Sequence, residues 1–413
     1  VSSDTRLRDE ARAHDGADAL ASLRELFVLD DDTVYLDGNS LGALPAGVPD
    51  RLSDVVRREW GRLRIRSWTE SGWWGMPERV GELIAPLLGA GPGQVVVGDS
   101  TSVNVLKALV GAVRLARRDA PGRNELLVDA ATFPTDGYIA ASAARLTDCT
   151  VRAVAPADVP AALGPRTAAV LLNHVDYRTG MLHDLPALTA AVRDAGAVGV
   201  WDLCHSAGAL PVDLDRHGVD LAVGCTYKFL NGGPGSPAFL YVRAALQERF
   251  ETPLPGWNSH ADPFAMAAAY EPAAGATRGR VGTPEILSMA ALEEALRVWD
   301  GVRIEDVRAK SLALTDFFLR CVEAYSGRRD GGGAVSVRPL TPAEHARRGS
   351  QVALVCEPEE RAGQVMGRLI ERGVVADFRR PGVLRFGFTP LYTSFQDVER
   401  AARVLEDILA EPR

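Results

Sequence analysis

Lysine is almost missing from this chain. Of its 46 Lys and Arg residues only Lys107, Lys228 and Lys310 are lysines. Arginine carries nearly all the positive charge, so each remaining lysine raises the question of why it is there. Other absences exclude whole classes of function. The five cysteines (Cys149, Cys204, Cys225, Cys321, Cys356) are odd in number and form no CxxC pair. That argues against a disulfide framework or a zinc site and for reduced thiols in a cytoplasm, and no bound metal is expected. No stretch approaches the ~20 uninterrupted apolar residues that span a bilayer. The opening "VSSDTRLRDEARAHD" has no apolar signal-peptide core. The net charge of −8 speaks against nucleic acid or an anionic membrane as partner. There is no GxxxxGK(S/T) loop, which disfavours a nucleoside triphosphate.

What is present is an ordinary soluble composition, 46% hydrophobic and 24% charged, over 413 residues. That length exceeds one simple core and implies two domains. Residues 5–30 read as a helix, followed by a short strand "TVYLD" that ends in the loop "GNSLGALP". Residues 51–66 and 78–88 read as helices. Strands and helices then alternate: "QVVVG", "NELLVDA", "TVRAV", "TAAVLLNHV", "AVGVWDL", "VDLAVGC" and "PAFLYV". Short β-branched runs spaced by helices predict a mostly parallel sheet covered on both faces. A long helix is expected over about 284–320, with Pro284 near its first turn. The final third alternates again, as a smaller α/β domain of antiparallel type. "RRDGGGAV" reads as an exposed loop.

Ligands of open α/β sheets bind beyond the carboxyl ends of the strands. Five successive strand ends here carry reactive or polar residues: "DSTSVN", "ATFPTDGY", "NHVDYRTG", "DLCHSAG" and "TYKFLNGGPG". Thr101 and Ser102 offer hydroxyls and free backbone N–H groups to an anion, or are a plain helix cap. Phe133 could serve as a flat ring partner or pack beneath a turn. Asp202 leaves a hydrophobic strand, where a carboxylate needs a cation or strong donor, and His205 follows three residues later. Lys107 and Lys310 are most simply solvated helix residues. Lys228 differs, because it lies between a strand and a glycine-rich turn that permits close backbone approach. A desolvated lysine beside a site is an amine nucleophile for Schiff-base chemistry. An anion-binding helix start, an aromatic face, an aspartate for a pyridinium nitrogen and such a lysine together are what pyridoxal phosphate requires.

With Asp202 preceding Lys228, this order resembles fold-type I pyridoxal-phosphate enzymes of the aspartate aminotransferase superfamily. "YLDGNSLGALP", "STSVNVLKAL", "TFPTDGY", "WDLCHSAGALPVDL", "CTYKFLNGGPGSPAFLYV", "GWNSH", "RVGTPEIL" and "LRFGFTPLYTSFQDV" resemble the kynureninase family from nearly end to end. The resemblance implies an α/β fold-type I transferase architecture, with a mostly parallel seven-stranded sheet in the large domain. It further implies an N-terminal segment (1–50) packing with the small domain, a large cofactor domain (51–290) and a small C-terminal α/β domain (291–413). Lys228 would hold the cofactor and act as general base, Asp202 would pair with the ring nitrogen, and Phe133 would stack on the ring. Pro134, Thr135, Asp136, Asn173 and His205 would line it. Thr101, Ser102 and Tyr227 would hold the phosphate, with Tyr227 also a proton donor. Trp257 and Thr283 would reach that phosphate from the second subunit of a homodimer. Arg385 would bind the substrate α-carboxylate, with Asn39 and Ser40 in the substrate pocket. Trp68 (or Trp73 or Trp74), Gly282 and Thr283 fall at aryl-contacting positions, and their identities resemble the bacterial type that prefers unsubstituted L-kynurenine over its 3-hydroxy form.

The implied reaction is hydrolysis of kynurenine to anthranilate and L-alanine. A cysteine desulfurase or selenocysteine lyase is the alternative within the superfamily. It needs a nucleophilic cysteine on a loop of the C-terminal third, and neither Cys321 in a helical stretch nor Cys356 at a strand end suits. A non-catalytic cofactor-binding protein is the alternative from another class.

Overall fold

The computed structural model describes residues 3–326 and 335–411, so most of the "RRDGGGAV" loop lies outside the described residues. Seven strands form the central sheet: β1 (Val95–Val97), β2 (Glu125–Asp129), β3 (Thr150–Val154), β4 (Thr167–Asn173), β5 (Val198–Asp202), β6 (Leu221–Gly224) and β7 (Phe239–Val242). Their order is β1-β7-β6-β5-β4-β2-β3. All neighbouring pairs are parallel except those of β7, which runs antiparallel to β1 and β6. No helix intervenes between β6 and β7; the chain turns back through the glycine-rich segment that carries Lys228. Strands β1, β4, β5, β6 and β7 are buried along their whole length, as continuous β-branched runs require when helices cover both faces. Edge strand β3 is mostly exposed and carries Arg152.

A second sheet joins β8 (Ser336–Pro339), β9 (Gln351–Glu357), β10 (Asp377–Arg379) and β11 (Val383–Gly387), antiparallel in the order β8-β9-β11-β10. Its core also takes Leu7 and Ala11 of the first helix, Ser3–Ala17, and Val34 and Leu36 from the strand leading to "GNSLG".

Several expected elements are shorter than the apolar pattern suggested. The 5–30 helix ends at Ala17, and the chain continues as a 3-10 turn and a two-residue strand at Phe27–Val28. The 284–320 helix is two helices, Ile286–Ala295 and Ile304–Ser326, parted at Gly301, whose φ of +75° belongs to the left-handed region. The 51–66 helix widens into a π-helix over Val55–Leu63 and breaks at Arg64, φ +54°.

Lys107 and Lys310 are not solvated, contrary to expectation. Lys107 is only 2% exposed and Lys310 8%. Each is paired with a carboxylate, fully buried only for Lys310: Lys107 Nζ lies 2.8 Å from Asp99, and Lys310 Nζ 2.6 Å from Asp18. An amphipathic pattern places a lysine on a helix face but does not disclose a carboxylate that meets it from another segment.

Candidate active site

The carboxyl ends of β4, β5 and β6 open onto one cavity of about 230 Å³. Asn39, Ser40, Thr101, Ser102, Phe133, Thr135, Asp136, Asn173, Asp202, His205, Tyr227, Lys228 and Arg385 all border it. Register explains the centre of the site. Asn173 and Asp202 are partners on the adjacent parallel strands β4 and β5, so their side chains leave the same face side by side. Asn173 Nδ2 donates to Asp202 at 2.9 Å, and the Cys204 backbone N–H donates to the other Asp202 oxygen at 2.8 Å. Two neutral donors keep the carboxylate oriented, with lone pairs to spare for a donor in the cavity.

Asp136 stands behind Asn173 in the first turn of helix Pro134–Leu146, accepting from Asn173 Nδ2 at 3.3 Å and from the Thr132 hydroxyl at 3.3 Å. Burial first, and then the nearby Asp202 charge, push its pKa up to about 8. Pro134 opens the same helix and does not border the cavity.

Ser100, not Thr101 or Ser102, is the N-cap of helix Thr101–Asp119, its hydroxyl accepting from the Val103 N–H. Thr101 and Ser102 are therefore the first two helical residues, with backbone N–H groups that have no intrahelical partner. Such a helix end presents free N–H donors and the positive end of the helix dipole, which suit an anion.

Lys228 sits on the turn between β6 and β7. Its Nζ lies 3.1 Å from His205 Nε2. Burial, and then the Lys228 and Arg385 charges, hold His205 well below the ordinary histidine range, so the ring is neutral. Its Nδ1 is buried without a hydrogen-bond partner. The loop "GNSLG" closes over this turn: the Gly42 N–H donates to the Tyr227 carbonyl at 2.7 Å, and a Cβ at Gly42 would sit 2.4 Å from the Lys228 carbonyl oxygen. Only glycine allows that approach. The Tyr227 hydroxyl is held above its ordinary range, by the Cys225 sulfur first and then by burial.

Arg385, 1% exposed, comes from β11. Its Nε and Nη2 donate to Asp377, Nη2 also to Ser40 at 3.0 Å, and Nη1 to the Tyr177 carbonyl at 2.7 Å. Asn39 donates to Gln351 at 3.1 Å. Phe133 is 43% exposed and meets Tyr177 edge-on, ring centroids 5.2 Å apart.

Four expected residues lie elsewhere. Trp68, Trp257, Gly282 and Thr283 do not border the cavity of this chain. Trp257 is 40% exposed, and Gly282 and Thr283 are exposed. Trp68, Trp73, Trp74 and Trp257 instead form one aromatic cluster, with Trp68 and Trp73 5.7 Å apart, Trp68 and Trp74 6.1 Å, and Trp74 and Trp257 5.3 Å. Asn258 joins Gly282 to it through a 2.6 Å bond to the Gly282 carbonyl. Sequence reasoning missed Tyr177, Cys204 and Arg379, which line the cavity, and Asp377, which holds Arg385. Tyr177 and Cys204 stand in the strand-end segments "NHVDYRTG" and "DLCHSAG", where the neighbouring Asn173, Asp202 and His205 carry the stronger chemical signal.

Fold and site define a class before they define a family. Among solved structures the chain resembles the cysteine desulfurase of Thermococcus onnurineus NA1 (TM-score 0.77, 18% identity, 94% of this chain and 97% of that one). It resembles the Escherichia coli cysteine desulfurase CsdA equally well (TM-score 0.77, 20% identity, 94% and 98%). At such identities these likenesses show the fold, that of fold-type I pyridoxal-phosphate enzymes. The family model for aminotransferase class-V matches residues 135–355 and that for the kynureninase C-terminal domain residues 307–405. The kynureninase of Deinococcus radiodurans is 50% identical over 97% of this chain and 95% of that protein. That of Burkholderia pseudomallei is 47% identical over 98% and 96%. The chain belongs to the kynureninase family.

Proposed function

We propose that this chain hydrolyses L-kynurenine to anthranilate and L-alanine with pyridoxal phosphate bound at Lys228. The observation that carries the reading is a single cavity, in a chain of this family, bordered by an amine, an oriented carboxylate, a helix N-terminus and an arginine. The donor set fits the cofactor. The start of helix Thr101–Asp119 suits its phosphate, Asp202 its ring nitrogen, and Lys228 its aldehyde. When bound, pyridoxal phosphate supplies a ring that accepts electron density from the substrate α-carbon.

The rest is the work of side chains. Thr101, Ser102 and Tyr227 bind the phosphate. Asp202, fixed by Asn173 and the Cys204 N–H, holds the proton on the ring nitrogen. Arg385 binds the substrate α-carboxylate by charge-assisted hydrogen bonds. With cofactor and substrate bound, Lys228 would take the α-proton as general base, and neutral His205 at 3.1 Å does not compete for positive charge. Water adds to the γ-carbonyl, the Cβ–Cγ bond breaks, anthranilate leaves, and Tyr227 returns a proton to Cβ.

The aromatic cluster and the exposed Gly282 and Thr283 support a homodimer in which a second copy completes each site, Trp257 and Thr283 reaching the phosphate and Trp68 the aryl group. The residues at these positions support a preference for kynurenine over 3-hydroxykynurenine, and the residues 51–290 and 291–413 are read as large and small domains, with 1–50 packing on the latter. Five unpaired thiols favour a cytoplasmic setting. Among the described residues no helix is long and apolar enough to cross a membrane.

A desulfurase reading fares worse. Cys321 and Cys356 are both fully buried, with thiols pushed up by burial to about 12 and about 11. The test pairs anthranilate fluorescence from kynurenine with sulfide release from cysteine. Anthranilate without sulfide is expected; sulfide without anthranilate overturns the reading.

A further inference from the structure

Arg385 cannot be a free fork awaiting a carboxylate. A guanidinium has five N–H donors, and four donations are already made here: two to Asp377, one to Ser40 and one to the Tyr177 carbonyl. The geometry of these bonds is ordered. Asp377 takes the side edge, through Nε and Nη2. Nη1 keeps one uncommitted N–H, and the second Nη2 N–H is engaged only by the neutral Ser40 hydroxyl. Ser40 and Arg385 border the cavity, whereas Asp377 does not. Asp377 therefore grips the arginine from the side away from the ligand.

Asp377 grips a second cation as well. Arg379, two residues on along β10, borders the cavity and places Nη2 2.7 Å from Asp377. The Ser40 hydroxyl lies 3.1 Å from the same carboxylate. One acid thus ties two arginines and a hydroxyl into a plate at the end of the cavity.

We propose that Asp377 is the positioning residue for substrate carboxylate recognition: it holds Arg385 by the side edge, so that the remaining N–H groups of Nη1 and Nη2 receive the α-carboxylate as Ser40 is displaced. This rests on the proposed reaction and specifies how its substrate is oriented. The alternative is that Asp377 competes with substrate for the arginine. The two predict opposite signs. A positioner lost raises KM, because the contact is made in ground and transition state alike, and leaves kcat nearly unchanged. A competitor lost lowers KM.

The test compares wild type, Asp377→Asn and Asp377→Glu, each loaded with cofactor and checked for an unchanged melting curve. KM and kcat are measured for kynurenine, and the inhibition constant for its decarboxylated analogue, the corresponding aryl-ketone amine. L-alanine affinity is measured by calorimetry in parallel, a readout that needs no turnover. For Asp377→Asn, a KM raised on the order of 10-fold or more is expected, with kcat within about 3-fold. L-alanine should weaken likewise, the decarboxylated analogue should bind as in wild type, and Asp377→Glu should recover part of the loss. A lowered or unchanged KM with L-alanine bound at least as tightly as in wild type, or equal weakening of the decarboxylated analogue, overturns the proposal. Failure of the wild type to cleave kynurenine strikes the reaction instead, and the L-alanine comparison still decides the role of Asp377.

Discussion

Replacing Lys107 by methionine probes how the site is braced from behind. Methionine keeps the length and apolar stem of the side chain but removes the ammonium. Lys107 Nζ donates to Asp99 at 2.8 Å and to the Gly279 carbonyl at 2.7 Å. Asp99, at φ +59°, is two residues before the first residue of helix Thr101–Asp119. The lysine thus clamps the proposed phosphate-binding helix start to the segment around Gly279. A hydrogen bond to a charged group contributes roughly 1.5–3 kcal/mol, and a buried carbonyl left unsatisfied costs roughly 1–3 kcal/mol. Set against this is the desolvation of the ammonium, which depresses the Lys107 pKa and which methionine avoids. Asp99 has a side chain 27% exposed, so water can reach the orphaned carboxylate and the loss falls short of a fully buried broken pair. The expected net destabilisation is about 2–3 kcal/mol. It would be read as a shift in the urea midpoint of the cofactor-free protein. Weaker retention of pyridoxal phosphate should accompany it, because the helix start loses its tether. A variant as stable as wild type within about 0.5 kcal/mol that holds cofactor equally well would refute the clamp.

Three further outcomes follow from the same geometry. Asp202→Asn should keep the bound cofactor but lose roughly 10²-fold or more in kcat, since an amide cannot hold the ring-nitrogen proton; near wild-type turnover would remove Asp202 from that role. The Asp136 pKa is raised from 3.8 to about 8, so the folded, cofactor-free protein holds a proton that the unfolded chain releases between those values. This contribution to stability is full below about pH 4 and is lost as pH rises toward about 8, so Asp136→Asn should gain in melting temperature over wild type across that window. A difference independent of pH would contradict the raised Asp136 pKa. Gly42→Ala would force a Cβ to within 2.4 Å of the Lys228 carbonyl oxygen and should cost about 1–3 kcal/mol while lowering turnover; an unaffected variant would mean that the loop does not press on the lysine turn.

Much of this was legible in the chain because two rules act locally. Buried parallel strands demand continuous apolar runs, and ligand-facing residues follow the ends of such runs. Asn173, Asp202 and Lys228 could be singled out in this way, and β4–β5 register then sets the first two side by side. What could not be read depends on contacts between distant segments. The Asp18 that buries Lys310 and the Asp99 that buries Lys107 come from outside those helices. Asp377 reaches Arg385 across two antiparallel strands, and its position in "VVADFR" looks like any alternating strand residue. Helix ends failed for another reason: "VWDG" is apolar enough to continue a helical pattern until Gly301 turns left-handed.

The central claim is that Lys228 alone carries the cofactor, and the chain's scarcity of lysine makes this directly measurable. Holoenzyme treated with borohydride fixes the cofactor to whichever lysine bears it, and peptide mass mapping then has three candidates. The account predicts one adduct, on the peptide containing "TYKFLNGGPG". An adduct on Lys107 or Lys310, or none in a protein saturated with pyridoxal phosphate, would contradict it.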